Sequence, residues 1–180
     1  AHGGYEEQRG VPCFHERLIA EPMVLAALIA IAVCTLRLIL FHLGRPPEGT
    51  DFLIVHFFAL VTIVFFTDHR LLRTDKSAGF PDLMREGFKS AAVYALIVAV
   101  FIWIYYASVE ANYFQNKVNA MVAKGMGEGQ PESVIRPRME RFFTPFNYTT
   151  ITFFTMLIAG AFNALLLGAL HHKVLRRFTR

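Results

Sequence analysis

The sequence predicts an all-α membrane protein: four transmembrane helices forming two antiparallel hairpins, with short amphipathic, interfacial helices. Two observations predict it. Of the 180 residues 54% are hydrophobic and only 18% charged, with a mean hydropathy of +0.41, a composition outside that of ordinary soluble domains. The apolar residues are also segregated: the stretches 22–43, 52–67, 91–109 and 146–170 contain only one, Arg37, of the 18 basic and 14 acidic residues. Hydrocarbon as solvent imposes such a partition. A chain of this length cannot enclose four all-apolar helices in a water-facing shell.

The chain reads as a single integral membrane domain, residues 1–180. Residues 1–21 form a tail whose Glu6, Glu7, Glu16 and Glu21 are unlike the compact basic region of a secretory signal, so the first stretch is a retained span. That span, 22–43, has the length that about 30 Å of hydrocarbon requires at about 1.5 Å per residue. Gly44-Arg45-Pro46-Pro47-Glu48-Gly49 is a compact turn into the second span, 52–67, because proline cannot continue a helix and glycine tolerates reversal. The second span is short; Asp68, His69 and Arg70 are placed in the headgroups, with Leu71 and Leu72 along the interface. Gly79-Phe80-Pro81-Asp82 reads as a helix start, and 80–90 as an interfacial helix with Leu83, Met84, Gly87 and Phe88 opposite Arg85, Glu86 and Lys89. It leads into span three, 91–109. Residues 110–145 form an outer-face loop of two short helices, broken at the flexible Lys124–Gly129 and limited by Pro137. Span four, 146–170, is followed by a basic tail, 171–180.

Basic residues set the expected orientation. Arg9, Arg17, Arg70, Arg73, Lys76, Arg85, Lys89, Lys173, Arg176, Arg177 and Arg180 lie on one side; Arg45, Lys117, Lys124, Arg136, Arg138 and Arg141 lie on the other. The richer side is expected to be the cytoplasm, placing both termini inside. The net charge of +4 and the pI near 9.3 suit anionic headgroups rather than nucleic acid, since the basic residues flank spans and form no stripe. Cys13 and Cys34 lie at different depths and are read as free thiols.

Small residues recur every fourth position in two spans: Gly87, Ala91, Ala95 and Ala99 in and before span three, and Gly160, Ala164 and Gly168 in span four. Such seams let backbones approach closely. They serve either as a dimer or partner-docking face or, the preferred reading, to pack these two helices within one monomer.

Ionisable groups at membrane depth are functional candidates because they are costly there unless paired or hydrated. Arg37, His42, His56, Tyr105, Tyr106 and Glu110 fall in one outer layer and form a candidate polar intramembrane cluster. One reading is an Arg37–Glu110 ion pair with the histidines as a relay. The plainer and favoured one has Arg37 snorkelling to outer headgroups above an interfacial belt of tyrosines. His42 and His56 are the weak candidates for holding a cofactor, a haem between adjacent helices. His171-His172 reads as a basic flank rather than a metal site, and Asn163 as interhelical packing glue. No HExxH, GxSxG or Walker motif is present, so no catalytic residue, metal or resident cofactor is expected. The spans as drawn also hold no Asp or Glu, which argues against proton- or sodium-coupled transport.

Three segments resemble a known family. They are Phe80-Pro81-Asp82-Leu83-Met84-Arg85-Glu86-Gly87-Phe88-Lys89, then Phe101-Ile102-Trp103-Ile104-Tyr105-Tyr106, then Gly160 to Gly168 with the basic tail. They are similar to the small four-helix inner-membrane proteins of Bacteroidota-type bacteria grouped as domain of unknown function 4199, over about residues 22–177. Val109-Glu110-Ala111-Asn112 departs from the Asp-Pro-like step expected after span three. The resemblance implies topology and an inner-membrane address, and no catalytic residue.

The leading functional expectation is a non-catalytic accessory or assembly subunit packed against a larger inner-membrane complex. Its partners would be lipids and other integral membrane subunits or further copies of itself, with no nucleic acid. The alternative is a transporter or channel component using Arg37, His42 and His56, and the third a haem- or quinone-linked redox subunit.

Overall fold

In hydrocarbon every backbone N–H and C=O must find a partner within the chain, and a helix satisfies them locally. The computed structural model describes the backbone of residues 14–45 and 49–174, and side chains over 21–45 and 52–174. It contains α1 (Phe14–His42), α2 (Gly49–Thr74), α3 (Phe80–Ile104), α4 (Tyr113–Gly127), α5 (Glu132–Phe142) and α6 (Pro145–Lys173), with a π-helical turn, Tyr105–Val109, prolonging α3. There is no strand among the described residues. Four segments, Glu21–His42, Phe52–Thr74, Phe80–Val109 and Pro145–Lys173, are long and apolar enough to cross a membrane. The protein is therefore a multi-pass helical membrane protein. Of the expectations above, the first thirteen residues with Arg9 and Cys13, the Pro46-Pro47-Glu48 portion of the first turn, and Arg176, Arg177 and Arg180 lie outside the described residues.

Local chemistry explains where the helices stop and start. Gly44, at φ +69°, ends α1 with Arg45 N–H donating to Leu40 O and Gly44 N–H to Phe41 O, both at 3.0 Å. The same pair of bonds closes α4 at Gly129, φ +83°, where Gln130 and Gly129 donate to Gly125 and Met126. Both are left-handed caps that glycine adopts without strain. Asp82 accepts from Gly79 N–H at 2.8 Å at the start of α3. Thr144 accepts from Asn147 N–H at 3.1 Å, and Pro145 fills the first position of α6. Asn147 in turn donates through its amide to Arg141 O and Phe142 O, tying the end of α5 to α6.

Three boundaries differ from expectation. The second helix does not stop at residue 67 but continues as α2 to Thr74, past Asp68, His69 and Arg70. The expected interfacial helix, 80–90, is the beginning of α3, with Leu83 and Gly87 buried. It is not a separate surface element because Leu83 and Gly87 meet α6 and α2, while Met84 and Phe88 remain exposed. The break placed at Lys124–Gly129 falls later, at residues 128–131 between the end of α4 at Gly127 and the start of α5 at Glu132, and Pro137 is accommodated inside α5.

α3 packs against α1, α2 and α6, most extensively against α6, and α2 touches α1 and α6 as well. The two small-residue seams meet each other. A Cβ on Gly160 would lie 2.7 Å from the Ala91 Cβ, one on Gly87 3.4 Å from the Ala164 Cβ, and one on Gly168 3.6 Å from the Leu83 Cβ. Ala91, Ala95 and Ala164 are fully buried and Ala99 nearly so. Both seams are thus consumed within the chain, as the preferred reading expects, and neither is free to dock a partner. Outside this core, Leu28, Ile31 and Ile39 on α1, Phe58 and Phe66 on α2, and Phe154, Ile158 and Phe162 on α6 are exposed. A surface so apolar over full helix lengths faces acyl chains.

The connections α1–α2 and α3–α6 place α4 and α5 at one end of the bundle, the hairpin end, and the start of α1 and the end of α6 at the other, the terminal end. α4 and α5 share a small core of Val118, Val122 and Ile135. Phe114 joins this hairpin to the bundle by ring contacts with Tyr106 and Tyr148 at 4.9 and 5.7 Å.

Candidate functional site

Near the hairpin end, α1 turns Arg37 inward, and the residue is 3% exposed. Its Nη2 donates to the Tyr106 hydroxyl at 2.7 Å. The guanidinium carbon lies 5.2, 5.0 and 5.4 Å from the ring centres of Phe52, Tyr105 and Tyr106, within the range where a cation is attracted to a ring face. The π-helical turn makes this enclosure. Glu110 N–H reaches back five residues to Tyr105 O at 3.0 Å, and the wider turn lets consecutive residues, Tyr105 and Tyr106, both face inward at 1% exposure. Such turns are rare and recur at functional sites. The Arg37 Nε and the Tyr105 hydroxyl have no hydrogen-bond partner, and no carboxylate lies within 4 Å of Arg37 among the described residues.

One turn further in, His56 Nδ1 and the Tyr94 hydroxyl are 2.7 Å apart, joining α2 to α3. Arg37, Phe52 and His56 form one wall, and Tyr148, Thr152 and Thr155 of α6 the other, of a crevice of about 170 Å³. Leu53, Ile151 and Thr155 at its mouth are exposed, so it opens sideways between α2 and α6, toward lipid. A buried cation, three hydroxyl-bearing side chains and an imidazole within apolar walls can hold an anionic group.

The expected cluster is assembled only in part. Arg37, His56 and Tyr105 converge. His42 is exposed, with Nδ1 held 2.9 Å from Leu38 O of its own helix. Glu110 borders a separate hollow of about 430 Å³ with Phe41, Tyr113 and Lys117. Arg37 neither pairs with Glu110 nor snorkels: Tyr106 and the aromatic rings enclose it inside the bundle; Tyr105 and Tyr106 are interior residues, not an interfacial belt. His42 and His56 are not presented to a common ligand: one faces outward and the other is bound to Tyr94. Tyr113, half-buried just beyond α3, has its phenol raised above the ordinary value by burial, with Tyr148 and Glu110 adding to the effect. Cys34 is a buried free thiol, and Asn163, 4% exposed, leaves its amide nitrogen without a partner among the described residues.

The terminal half of the bundle holds a second buried pair that sequence reasoning missed. Asp68 on α2 and His171 on α6 are both 0% exposed, with Asp68 Oδ2 3.7 Å from His171 Nδ1. Asp68 does not lie in the headgroups, His171 is no exposed basic flank, and a membrane-crossing helix does carry a carboxylate. The buried positions Phe52, His56, Leu60, Ile63, Val64 and Thr67 continue at helical spacing into Asp68, a signal present in the sequence but masked by the charged neighbours His69 and Arg70. Arg70 points elsewhere, to Glu21 on α1.

The chain matches, over residues 24–173, a family described as a protein of unknown function, DUF4199. No curated protein and no solved structure matches it.

Proposed function

We propose, from the premise that this chain belongs to the DUF4199 family of proteins of unknown function, that it is a non-enzymatic transport or channel component receiving an anionic amphiphile at Arg37. The observation that carries this reading is a guanidinium 3% exposed, with no carboxylate within 4 Å among the described residues, beside a crevice open to lipid. A charge at membrane depth is costly unless matched, and three ring faces with one phenol leave its full positive charge in place. An anion supplied from outside the chain balances it. Tyr148, Thr152 and Thr155 can donate to the same oxygens. Phe52, Leu53 and Ile151 suit the acyl portion, so a phosphate or carboxylate headgroup arriving sideways fits the site.

The test is native mass spectrometry of protein extracted gently from its own membrane, beside flux of a labelled anionic lipid across liposomes. The wild type is expected to carry an anionic lipid that Arg37→Gln loses, and to move it at a rate that Arg37→Leu abolishes. Unchanged lipid occupancy and flux in both variants would overturn the reading.

A second reading, an accessory subunit of a larger complex, is favoured by the α4–α5 hairpin. Met126, Val134 and Phe142 are exposed there, and Phe142 lines a groove of about 810 Å³ with Arg138 and Arg141. In the same spectra this reading requires a defined heavier assembly that survives Arg37→Gln. Under either reading the address is the bacterial inner membrane with both termini cytoplasmic, following the basic-residue asymmetry, and the partners are lipids with neighbouring subunits or further copies of the chain. Labelling of single cysteines placed in α5 and after α6 checks the orientation: only the α5 site should react from outside.

A further inference from the structure

A carboxyl group closed off from water must be neutral or be neutralised by a neighbour. Asp68 is 0% exposed, and neither of its oxygens has a hydrogen-bond partner among the described residues. Across the α2–α6 contact, His171 is equally buried. Its Nδ1 is 2.9 Å from Leu167 O, to which it donates, and 3.7 Å from Asp68 Oδ2, while its Nε2 has no partner among the described residues. An ionised Asp68 beside a neutral His171 would leave one uncompensated negative charge inside the bundle. One added proton removes that charge, whether it sits on the carboxylate or makes the imidazole an imidazolium.

We propose that Asp68 and His171 form a proton-binding site in the terminal half of the bundle, holding one exchangeable proton either on the Asp68 carboxylate or on the free Nε2 of the His171 imidazole. Among the described residues the surroundings leave no other group to do this. From α3 the side facing Asp68 is Gly87, where an added Cβ would come within 3.2 Å of Oδ1, and the neighbouring Ser90 is engaged by Thr67. On α2, His69 stacks on Phe65 with its ring 6.4 Å from that of His171. On α6, His172 lies against Phe80 and Lys173 is exposed. Toward α1, Arg70 is paired with Glu21, and on α3 Glu86 is paired with Lys89. Among the described residues the titratable groups at the site are thus Asp68, His171 and, one ring further out, His69.

Exchange of that proton needs a path to water, and the groove that comes nearest in sequence is lined by the residue next to Asp68. This groove, of about 340 Å³ between α1, α2 and α3, runs inward to Thr67 and is lined by Arg70, Asp82 and Glu86. Acid and histidine side chains within membrane helices relay protons in pumps and transporters. The site stands whether or not an anion occupies the Arg37 crevice, since no residue is shared between them.

Potentiometric titration of the purified protein and of Asp68→Asn in the same detergent, from alkaline pH downward, tests the proposal. The wild type is expected to take up one more proton per chain than the variant before about pH 5, above the range where an ordinary aspartate titrates. A difference confined to about pH 4 would overturn it. A second measurement needs no variant. Wild-type protein at neutral pH should show either the infrared band of a protonated carboxyl or the ¹⁵N signal of a buried imidazolium, and absence of both would overturn it too.

Discussion

Replacing Gly160 by alanine adds one methyl group at the tightest point of the α3–α6 contact. The new Cβ would sit 2.7 Å from the Ala91 Cβ and 3.9 Å from the Ala91 Cα, against an optimum of about 3.5–4.0 Å between carbons. Neither neighbour is the end of a flexible side chain, so the helices must part by about 1 Å, and the seam loses dispersion contacts along its length. Overpacking of this kind costs about 1–3 kcal/mol, opposed by at most about 1 kcal/mol of improved helix propensity. Unfolding in mixed micelles of rising dodecyl sulfate content, followed by Trp103, the single tryptophan, should show Gly160→Ala unfolding earlier than wild type. Gly168→Ala is the control. Its nearest contacts are at 3.6 Å, ordinary van der Waals separation, and it should be neutral or slightly stabilising. Adding Ala91→Gly to Gly160→Ala restores one methyl per crossing and should recover most of the loss. If Gly160→Ala matched or exceeded wild type while Gly168→Ala did not, the close-approach argument would be wrong.

Tyr94→Phe leaves the buried His56 imidazole without its partner and should lower stability by about 1–3 kcal/mol in the same micelle assay. Arg70→Gln breaks the Glu21 pair, whose side chains are 46% and 49% exposed, so it should change stability by no more than about 1 kcal/mol. Because burial holds the Tyr113 phenol above its ordinary value, the folded state keeps that proton where the unfolded chain releases it. Its contribution is therefore complete below about pH 10 and declines as pH rises beyond it. Alkaline unfolding midpoints should show this decline in the wild type and a shallower one in Tyr113→Phe.

The helices and their seams were legible because each depends on residues close in sequence: apolar runs of spanning length, and glycine or alanine at every fourth position. Arg37 stood out for a similar reason, as the only charge within an apolar run. What encloses it was not legible, since the enclosure needs a π-helical turn nearly 70 positions away, which turns two adjacent tyrosines inward. The run Asp68-His69-Arg70 carries the composition of a helix end at the headgroups. Its first member is instead buried by His171, more than 100 positions later, and the depth of a side chain in a bundle is a property of the partner helix as much as of its own. The interfacial reading of residues 80–90 failed on the same ground: Leu83 and Gly87 are covered by α6 and α2, and Met84 and Phe88 alone of that face stay exposed.

The α3–α6 seam also says something about sliding. Small residues every four positions on both helices suggest that α6 could shift along α3 by one such step, about 6 Å at the helical rise, and find an equivalent fit. The crossings exclude it, because in the native alignment Gly160 meets Ala91 and Gly87 meets Ala164, one methyl per crossing. A slip of four residues that brings Ala164 opposite Ala91 places two methyls where there is room for one, and it sets Gly168 against Gly87, leaving a gap. Alternating glycine with alanine thus works like teeth of unequal height, holding the two longest-packed helices at a single axial position and discouraging piston motion between the ends of the bundle.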